Sequence, residues 1–296
     1  QRPVLAIYGT KNFEMKKNGI VYAAVGNKFL QEAILSATSL KNYEPNLHLT
    51  IFTNEKFTNT TFDKIIPIID PENWRNGKLY AFKNSPYEKT IFLDTDTFIC
   101  DRFSEIFILL NKYDMAASLS EIYGEYIFDI PELDQLKDSF PEINSGFVAF
   151  KQSKNWESFL NDWIDTYRSQ KKQREIQGKL KTADQPSFRL ALYRSKLRYH
   201  ILPPTYNTRF SGGHLSGKVK ILHGRFWNMN LAKKILNSTT GSRTYNVSNE
   251  NISLIEHKEK SYGYSKMKVL QYFNLLKHEG IGAFISAIIN MIKNKI

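Results

Sequence analysis

Cysteine is almost missing from this 296-residue chain. Cys100 stands alone, so no intrachain disulfide framework and no cysteine-rich metal site can form. Long apolar runs are missing too. The longest candidate, Ile281 to Ile292, stops at Lys293 and Lys295, short of the roughly 18–20 residues a membrane-spanning helix needs. Neither an internal repeat nor a low-complexity tract is present, which argues against solenoid and tail-like architectures. The chain opens on Gln1-Arg2-Pro3 without a visible signal peptide, so a cytoplasmic location is the expectation. What is present is ordinary for a globular α/β chain: 42% hydrophobic and 24% charged residues.

Charge is unevenly spread. The net charge is +12, but residues 1–149 carry 15 Lys+Arg against 20 Asp+Glu, a net of −5. Residues 150–296 carry 26 against 9, a net of +17. A basic half suits phosphate groups, nucleic acid or an anionic membrane surface. Much of it also fits plain solvated lysine.

Apolar patterning predicts strands over 20–25, 47–53, 64–69, 88–93, 115–119, 146–150 and 219–222. Helices are expected over 29–40, 77–84, 101–113, 156–167 and 185–193. Their alternation argues for an α/β fold with a mainly parallel sheet. The run from Ser169 to Lys181 reads as a loop or an exposed helix end. Residues 266–292 carry Met267, Leu270, Phe273, Leu276, Phe284, Ile288 and Met291 at helical spacing. Such a tail packs on its own domain or, given nearby lysines, docks on a membrane surface.

The chemistry centres on Ile91-Phe92-Leu93-Asp94-Thr95-Asp96. A buried strand ends in two carboxylates one residue apart, and ligand sites in open α/β sheets lie beyond such strand ends. Side chains two apart on an extended segment point the same way. Two carboxylates aimed at one point repel unless a cation or a proton lies between them. A hard divalent ion, Mn²⁺ or Mg²⁺, meets that need and bridges to a diphosphate. Alone, this spacing also occurs in solvent-exposed acidic turns.

Three later segments add to it: Glu142-Ile143-Asn144-Ser145-Gly146, a turn feeding a strand; Thr182-Ala183-Asp184-Gln185, a helix start; and Ile221-Leu222-His223-Gly224-Arg225, a strand ending in histidine. In this order, with Tyr87-Glu88-Lys89-Thr90 before the aspartates, the set resembles the GT-A nucleotide-sugar transferases. It is most similar to glycosyltransferase family 8, over roughly Ile20 to Arg225.

The resemblance implies a mixed, mainly parallel GT-A sheet flanked by helices. Residues 1–229 would form the transferase domain and 230–296 a helical extension. It implies that Asp94, Asp96 and His223 hold Mn²⁺ or Mg²⁺ against a nucleotide-diphosphate sugar, with UDP as the nucleotide. Ala24, Val25 and Gly26 would border the base, and Lys78 the phosphates. Thr95, Asn144, Ser145, Gly146 and Gly224 would line the donor and acceptor cleft. Asp184 and Gln185 would flank the reacting sugar, and Arg225 would assist the leaving diphosphate. A longer family pattern after the histidine, ending in Lys-Pro-Trp, is absent: the chain reads Gly224-Arg225-Phe226-Trp227.

Plainer roles stay open. Asp184 reads equally as a helix N-cap, Asn144-Ser145-Gly146 as a simple turn, Lys78 as a surface lysine and Cys100 as core. The expected reaction is transfer to a hydroxyl of a glycan or lipid-linked acceptor, with retention and with peripheral membrane contact through the tail. A nucleotidyltransferase of sugar phosphates is the first rival. It would show a glycine-rich phosphate loop where this chain has Gly26-Asn27-Lys28-Phe29. A nucleic-acid-binding protein is the second. It lacks a recognised motif here, and nucleic acid is not expected as a partner.

Overall fold

Continuous apolar segments build a buried sheet because both of its faces are covered. The computed structural model describes residues 16–58, 60–69, 77–120, 139–140, 142–177, 183–248, 251–257, 281 and 285. The chain divides into two units, Gln1–Ile255 and Glu256–Ile296.

In the first unit, β1 (Lys16–Ala24) leads into α1 (Asn27–Lys41), then β2 (Leu49–Thr53) and β3 (Lys64–Pro67). The short α2 (Gly77–Lys83) precedes β4 (Tyr87–Leu93) and β5 (Thr97–Ile99). One helical turn, α3 (Ile106–Leu109), leads to β6 (Met115–Leu119) and β7 (Ile143–Lys151). Helices α4 (Lys154–Ile176) and α5 (Gln185–Arg194) follow, then β8 (Tyr199–Leu202). A 3₁₀ turn over Pro204–Tyr206 leads to β9 (Thr208–Arg209), β10 (Gly213–Leu215) and β11 (Ile221–His223). The unit closes with α6 (Met229–Leu236), β12 (Arg243–Ser248) and β13 (Asn251–Glu256).

The main sheet has the order β3-β2-β1-β4-β7-β6-β8. All its strands run one way except β7, which pairs antiparallel with both β4 and β6. The chain leaves β1 towards β2 on one side and returns as β4 on the other. The crevice at the carboxyl ends of β1 and β4 is therefore a topological switch point, where ligands bind in open α/β sheets.

One face of the sheet packs on α1 through Leu30, Ala33, Ala37 and Leu40 against Ile20, Ile51 and Ile91. The other packs on α2, α4 and α5, where an aromatic cluster gathers around Phe82 and Trp163. There the Phe150 and Trp156 rings stack 4.0 Å apart at 13°. Ser153 starts α4 by accepting the Trp156 N–H at 3.2 Å. Beyond Tyr167 this helix buries no residue, so Ser169 to Ile176 is an exposed helix end, one of the two forms expected of the basic run.

The expected helix over 101–113 shrinks to α3. Its amides bond three residues back, as in Ile106 N to Phe103 O at 3.2 Å and Asn111 N to Ile108 O at 3.1 Å. The Glu44 carboxylate takes the Phe103 and Ser104 N–H groups, each at 3.0 Å. Cys100 N is bonded to Lys220 O at 2.7 Å, so the chain just before is committed to β11's neighbourhood. Tight turns with those anchors leave no room for a regular helix.

Past Asn230, where sequence patterning fades, α6, β12 and β13 pack Ala232, Leu236, Tyr245 and Ile252 against Phe98, Cys100 and Leu222. Cys100 is core, and burial pushes its thiol up to about 12. Of the tail over 266–292, only Ile281 and Ile285 are described, both helical and exposed. The rest of that segment, like Lys181 and Thr182, lies outside the described residues. Among the described residues, no helix is long and apolar enough to cross a membrane.

Candidate active site and metal centre

Strand β4 delivers Asp94 at its carboxyl end, and Thr95 and Asp96 turn the chain into β5. There the small sheet β5-β11-β9 begins. Antiparallel pairing of β11 with β5 sets His223 opposite Thr97, and Gly224 N–H donates to Asp96 O at 2.9 Å. A histidine 127 positions later in the chain thus lies against the aspartates. His223 Nε2 is 3.7 Å from Asp94 Oδ2 and 3.4 Å from Asp96 Oδ1. One ligand atom from each of the three residues falls within a 4.8 Å cluster, the only such metal-competent group among the described residues.

The donor set is chemically apt for Mn²⁺ or Mg²⁺: two carboxylates and one imidazole. Gly146 is a further sign of how close the packing is. A Cβ there would lie 2.2 Å from His223 Cε1 and 2.6 Å from Asp94 Oδ2. No side chain fits between strand β7 and this triad. Asp96 is half-buried, which pushes its carboxyl up, but His223, Arg225 and Arg209 pull it down to about 2.

Positive charge flanks the carboxylates. Lys78 on α2 lies 3.0 Å from Asp94 and 3.2 Å from Asp184. Burial lowers its ammonium pKa, but Asp184 and Asp94 outweigh that and hold it above the usual lysine range. Lys78 is therefore no free surface lysine. Arg225 reaches Asp96 at 3.4 Å and grips Glu32 at 2.8 and 3.0 Å. Thr95 donates to the same Glu32 carboxylate at 3.0 Å. A cavity of about 330 Å³ opens beside these groups, lined in part by Val25, Phe29, Lys78, Asp94, Asp96 and Arg225.

Asp184 stands at the N-cap position of α5 without capping it through its side chain. Its carboxylate instead accepts from Ser145 Oγ at 2.9 Å and pairs with Lys78. Burial raises its pKa, yet Lys78 and the Ser145 hydrogen bond hold it below the usual carboxylate range. Gln185 is buried, not solvent-facing. Its Oε1 accepts the Ser145 N–H at 3.1 Å, and its Nε2 donates to Ile143 O. Both ends of that amide are committed to the backbone of β7. Asn144 accepts the Gly146 N–H at 3.0 Å, which folds the turn tightly.

Ala24 is buried in β1, while Ala23 and Val25 line the cavity. Gly26 takes φ 91°, and its N–H donates to Asn54 Oδ1 at 2.8 Å. Gly224 takes φ 112°, and a Cβ there would meet Phe210 at 2.3 Å. Three polar residues at this site carried no sequence signal: Glu32, Asn207 and Arg209. The Nη1 of Arg209 lies 3.0 and 3.1 Å from the two ring nitrogens of His223. Asn207 Oδ1 lies 2.7 Å from His223 Nδ1. No short-range pattern marks them: pairing of β9 with β11 brings in Arg209 and, just before β9, Asn207, while Glu32 comes from α1.

No family model matches the chain, and no curated protein matches it. Solved structures do. The glycosyltransferase GlyE of Streptococcus pneumoniae TIGR4 aligns at 15% identity with a TM-score of 0.51, over 72% of this chain and 57% of GlyE. Its apo form gives a TM-score of 0.50 at 15% identity, over 72% and 56%. The galactosyltransferase LgtC, solved in complex with donor and acceptor sugar analogues, aligns more loosely. Its TM-score is 0.48 at 13% identity, over 73% of this chain and 91% of LgtC. This chain spans little more than half the length of GlyE. The expected mixed, mainly parallel GT-A fold is the fold found.

Proposed function

We propose that this chain is a metal-dependent glycosyltransferase. It moves a sugar from a nucleotide-diphosphate donor, a UDP-sugar, to a hydroxyl of a glycan or lipid-linked acceptor. The observation that carries this reading is the Asp94–Asp96–His223 cluster at the switch point of the sheet, with Lys78 and Arg225 beside one cavity.

Asp94, Asp96 and His223 would hold the divalent ion. Bound there, it would neutralise the charge that builds on the departing diphosphate. The chain's own residues supply the rest. Lys78 and Arg225 add positive charge on either side of the carboxylates. Val25 and Phe29 offer an apolar wall for a base. Asp184, held in place by Lys78 and Ser145, accepts hydrogen bonds from sugar hydroxyls. Ion pairing makes Asp184 a poor nucleophile, and Gln185 braces the Ser145 turn with both amide ends. Given retention, which the resemblance to family 8 implies, that favours departure and attack on the same face of the sugar over a covalent intermediate on Asp184.

For the acceptor, the net +17 of residues 150–296 supports an anionic or lipid-linked glycan met from the cytoplasm at a membrane surface. The tail would make the peripheral contact.

Asp94→Ala, Asp96→Ala and His223→Ala should each abolish Mn²⁺-dependent donor hydrolysis and transfer. Full activity in any of them defeats the assignment. A thermal-shift screen of nucleoside diphosphates with and without Mn²⁺ identifies the base. Release of pyrophosphate in place of a nucleoside diphosphate would make the chain a nucleotidyltransferase.

A further inference from the structure

We propose that Asn207 is a positioning residue: it fixes the tautomer of His223 and so makes that imidazole competent to bind a metal. The consequence for metal affinity rests on the functional reading above; the tautomer does not.

In a neutral imidazole one ring nitrogen carries a proton and the other a lone pair, and the hydrogen bond made by one decides the state of the other. Asn207 Oδ1 lies 2.7 Å from His223 Nδ1. A carbonyl oxygen can only accept, so Nδ1 carries the proton. The lone pair then falls on Nε2, the nitrogen that faces Asp96 Oδ1 at 3.4 Å and Asp94 Oδ2 at 3.7 Å. The opposite tautomer would set two lone pairs against each other at Nδ1; a second proton on Nε2, shared with the carboxylates, leaves the Asn207 bond intact and is the proton a metal would displace.

The surroundings hold this arrangement. Asn207 is 2% exposed and His223 3%. The Asn207 backbone N–H closes the 3₁₀ turn onto Pro204 O at 3.0 Å, and β9, directly after it, runs parallel to β11. Asn207 Nδ2 is buried without a partner among the described residues. The amide is thus oriented towards the histidine at the cost of its own second hydrogen bond, as a dedicated acceptor would be. Arg209 Nη1 lies 3.0 Å from Nδ1 and 3.1 Å from Nε2, so it does not discriminate between the nitrogens, and the choice falls to Asn207. Partners that fix a ligand histidine in this way typically set metal affinity by 10–100-fold.

The test uses the full chain. Nitrogen-15 spectra of its histidines in the metal-free state should show Nδ1 of His223 protonated in wild type and in Asn207→Asp, which keeps an acceptor. Asn207→Leu should show a mixture or Nε2–H. Titration with Mn²⁺ alone, followed by electron paramagnetic resonance, should give roughly 10–100-fold weaker binding in Asn207→Leu and equal or tighter binding in Asn207→Asp. A bare Nδ1 in wild type overturns the proposal, as does Asn207→Leu with both the wild-type Nδ1 signal and wild-type affinity. Should the leucine variant fail to fold, the wild-type and Asn207→Asp spectra decide. Nδ1–H in a wild-type chain that binds no Mn²⁺ would uphold the role of Asn207 and defeat the metal reading.

Discussion

A single methyl group at position 146 should disable the triad. In Gly146→Ala the new carbon would stand 2.2 Å from His223 Cε1, 2.6 Å from Asp94 Oδ2 and 2.9 Å from His223 Nε2. Carbon atoms in contact settle near 3.5–4.0 Å, so the histidine must retreat by more than about 1 Å. It has nowhere easy to go. His223 is buried, held by Asn207 and paired into the β5–β11 ladder. Asp94 is tied by its own N–H to Gly146 O at 2.8 Å and by its carboxylate to Lys78. Overpacking of this kind costs about 1–3 kcal/mol, which in a chain this size lowers Tm by roughly 2–4 °C per kcal/mol. Metal ligation tolerates only about 0.2 Å of displacement. Mn²⁺ affinity should therefore fall much further than stability, by at least roughly tenfold on the scale of perturbed ligand sets. Calorimetry for Tm and Mn²⁺ titration measure the two separately. Gly241→Ala is the control, since its Cβ would meet only Thr239 Oγ1 at 3.6 Å. Unchanged affinity and Tm in Gly146→Ala would mean that His223 and Asp94 do not close on Gly146, and the site would have to be redrawn.

Lys78→Ala should leave Asp94 and Asp184 facing each other without their shared cation. Tm should drop and Mn²⁺ should partly restore it, because Asp94 then gains another cation; a drop that Mn²⁺ leaves untouched would count against the shared site. Glu32→Gln should loosen Arg225 and Thr95 at the cavity rim, raising donor KM roughly tenfold for about 1.5 kcal/mol of charged hydrogen bonding while Tm stays put; an unmoved KM would show that Arg225 needs no such anchor. Asp114 gives a pH signature far from the site. Burial pushes its carboxyl up, but the Arg198 N–H, Asn155 and Lys151 outweigh burial and hold it below the usual range. A depressed folded pKa means that its stabilising contribution is full above about pH 4 and fades as pH falls through the folded value. Asp114→Asn should flatten the acid end of the unfolding profile followed by circular dichroism and cost about 1–3 kcal/mol at neutral pH; an unaltered acid limb would refute it.

The carboxylate pair could be read from sequence because one local pattern, an apolar strand run straight into Asp94 and Asp96, carries it. The β–α alternation was legible for the same reason, although β1 starts at Lys16 and β7 at Ile143, earlier than their apolar stretches suggest. What escaped is non-local. The helix expected after Asp101 gives way to tight turns with three-residue hydrogen bonds, set between Cys100, bonded to Lys220 O, and β6. Strands β5 and β9 are three and two residues long and hold only by pairing with β11, the strand expected over 219–222, so they have no periodicity of their own to detect. The partners that this small sheet brings to His223 were invisible with it. Asp184 illustrates the opposite limit. Its residue type fits a helix cap, and only the positions of Lys78 and Ser145 show that its carboxylate is turned elsewhere.

Strand β7 runs against every neighbour in its sheet. The cavity edge therefore receives the ends of β1, β4 and β6 but the beginning of β7. Ser145 and Gly146 therefore meet Asp94 head-on, a strand's start against a strand's end, and the Asp94 N–H closes that junction on Gly146 O at 2.8 Å.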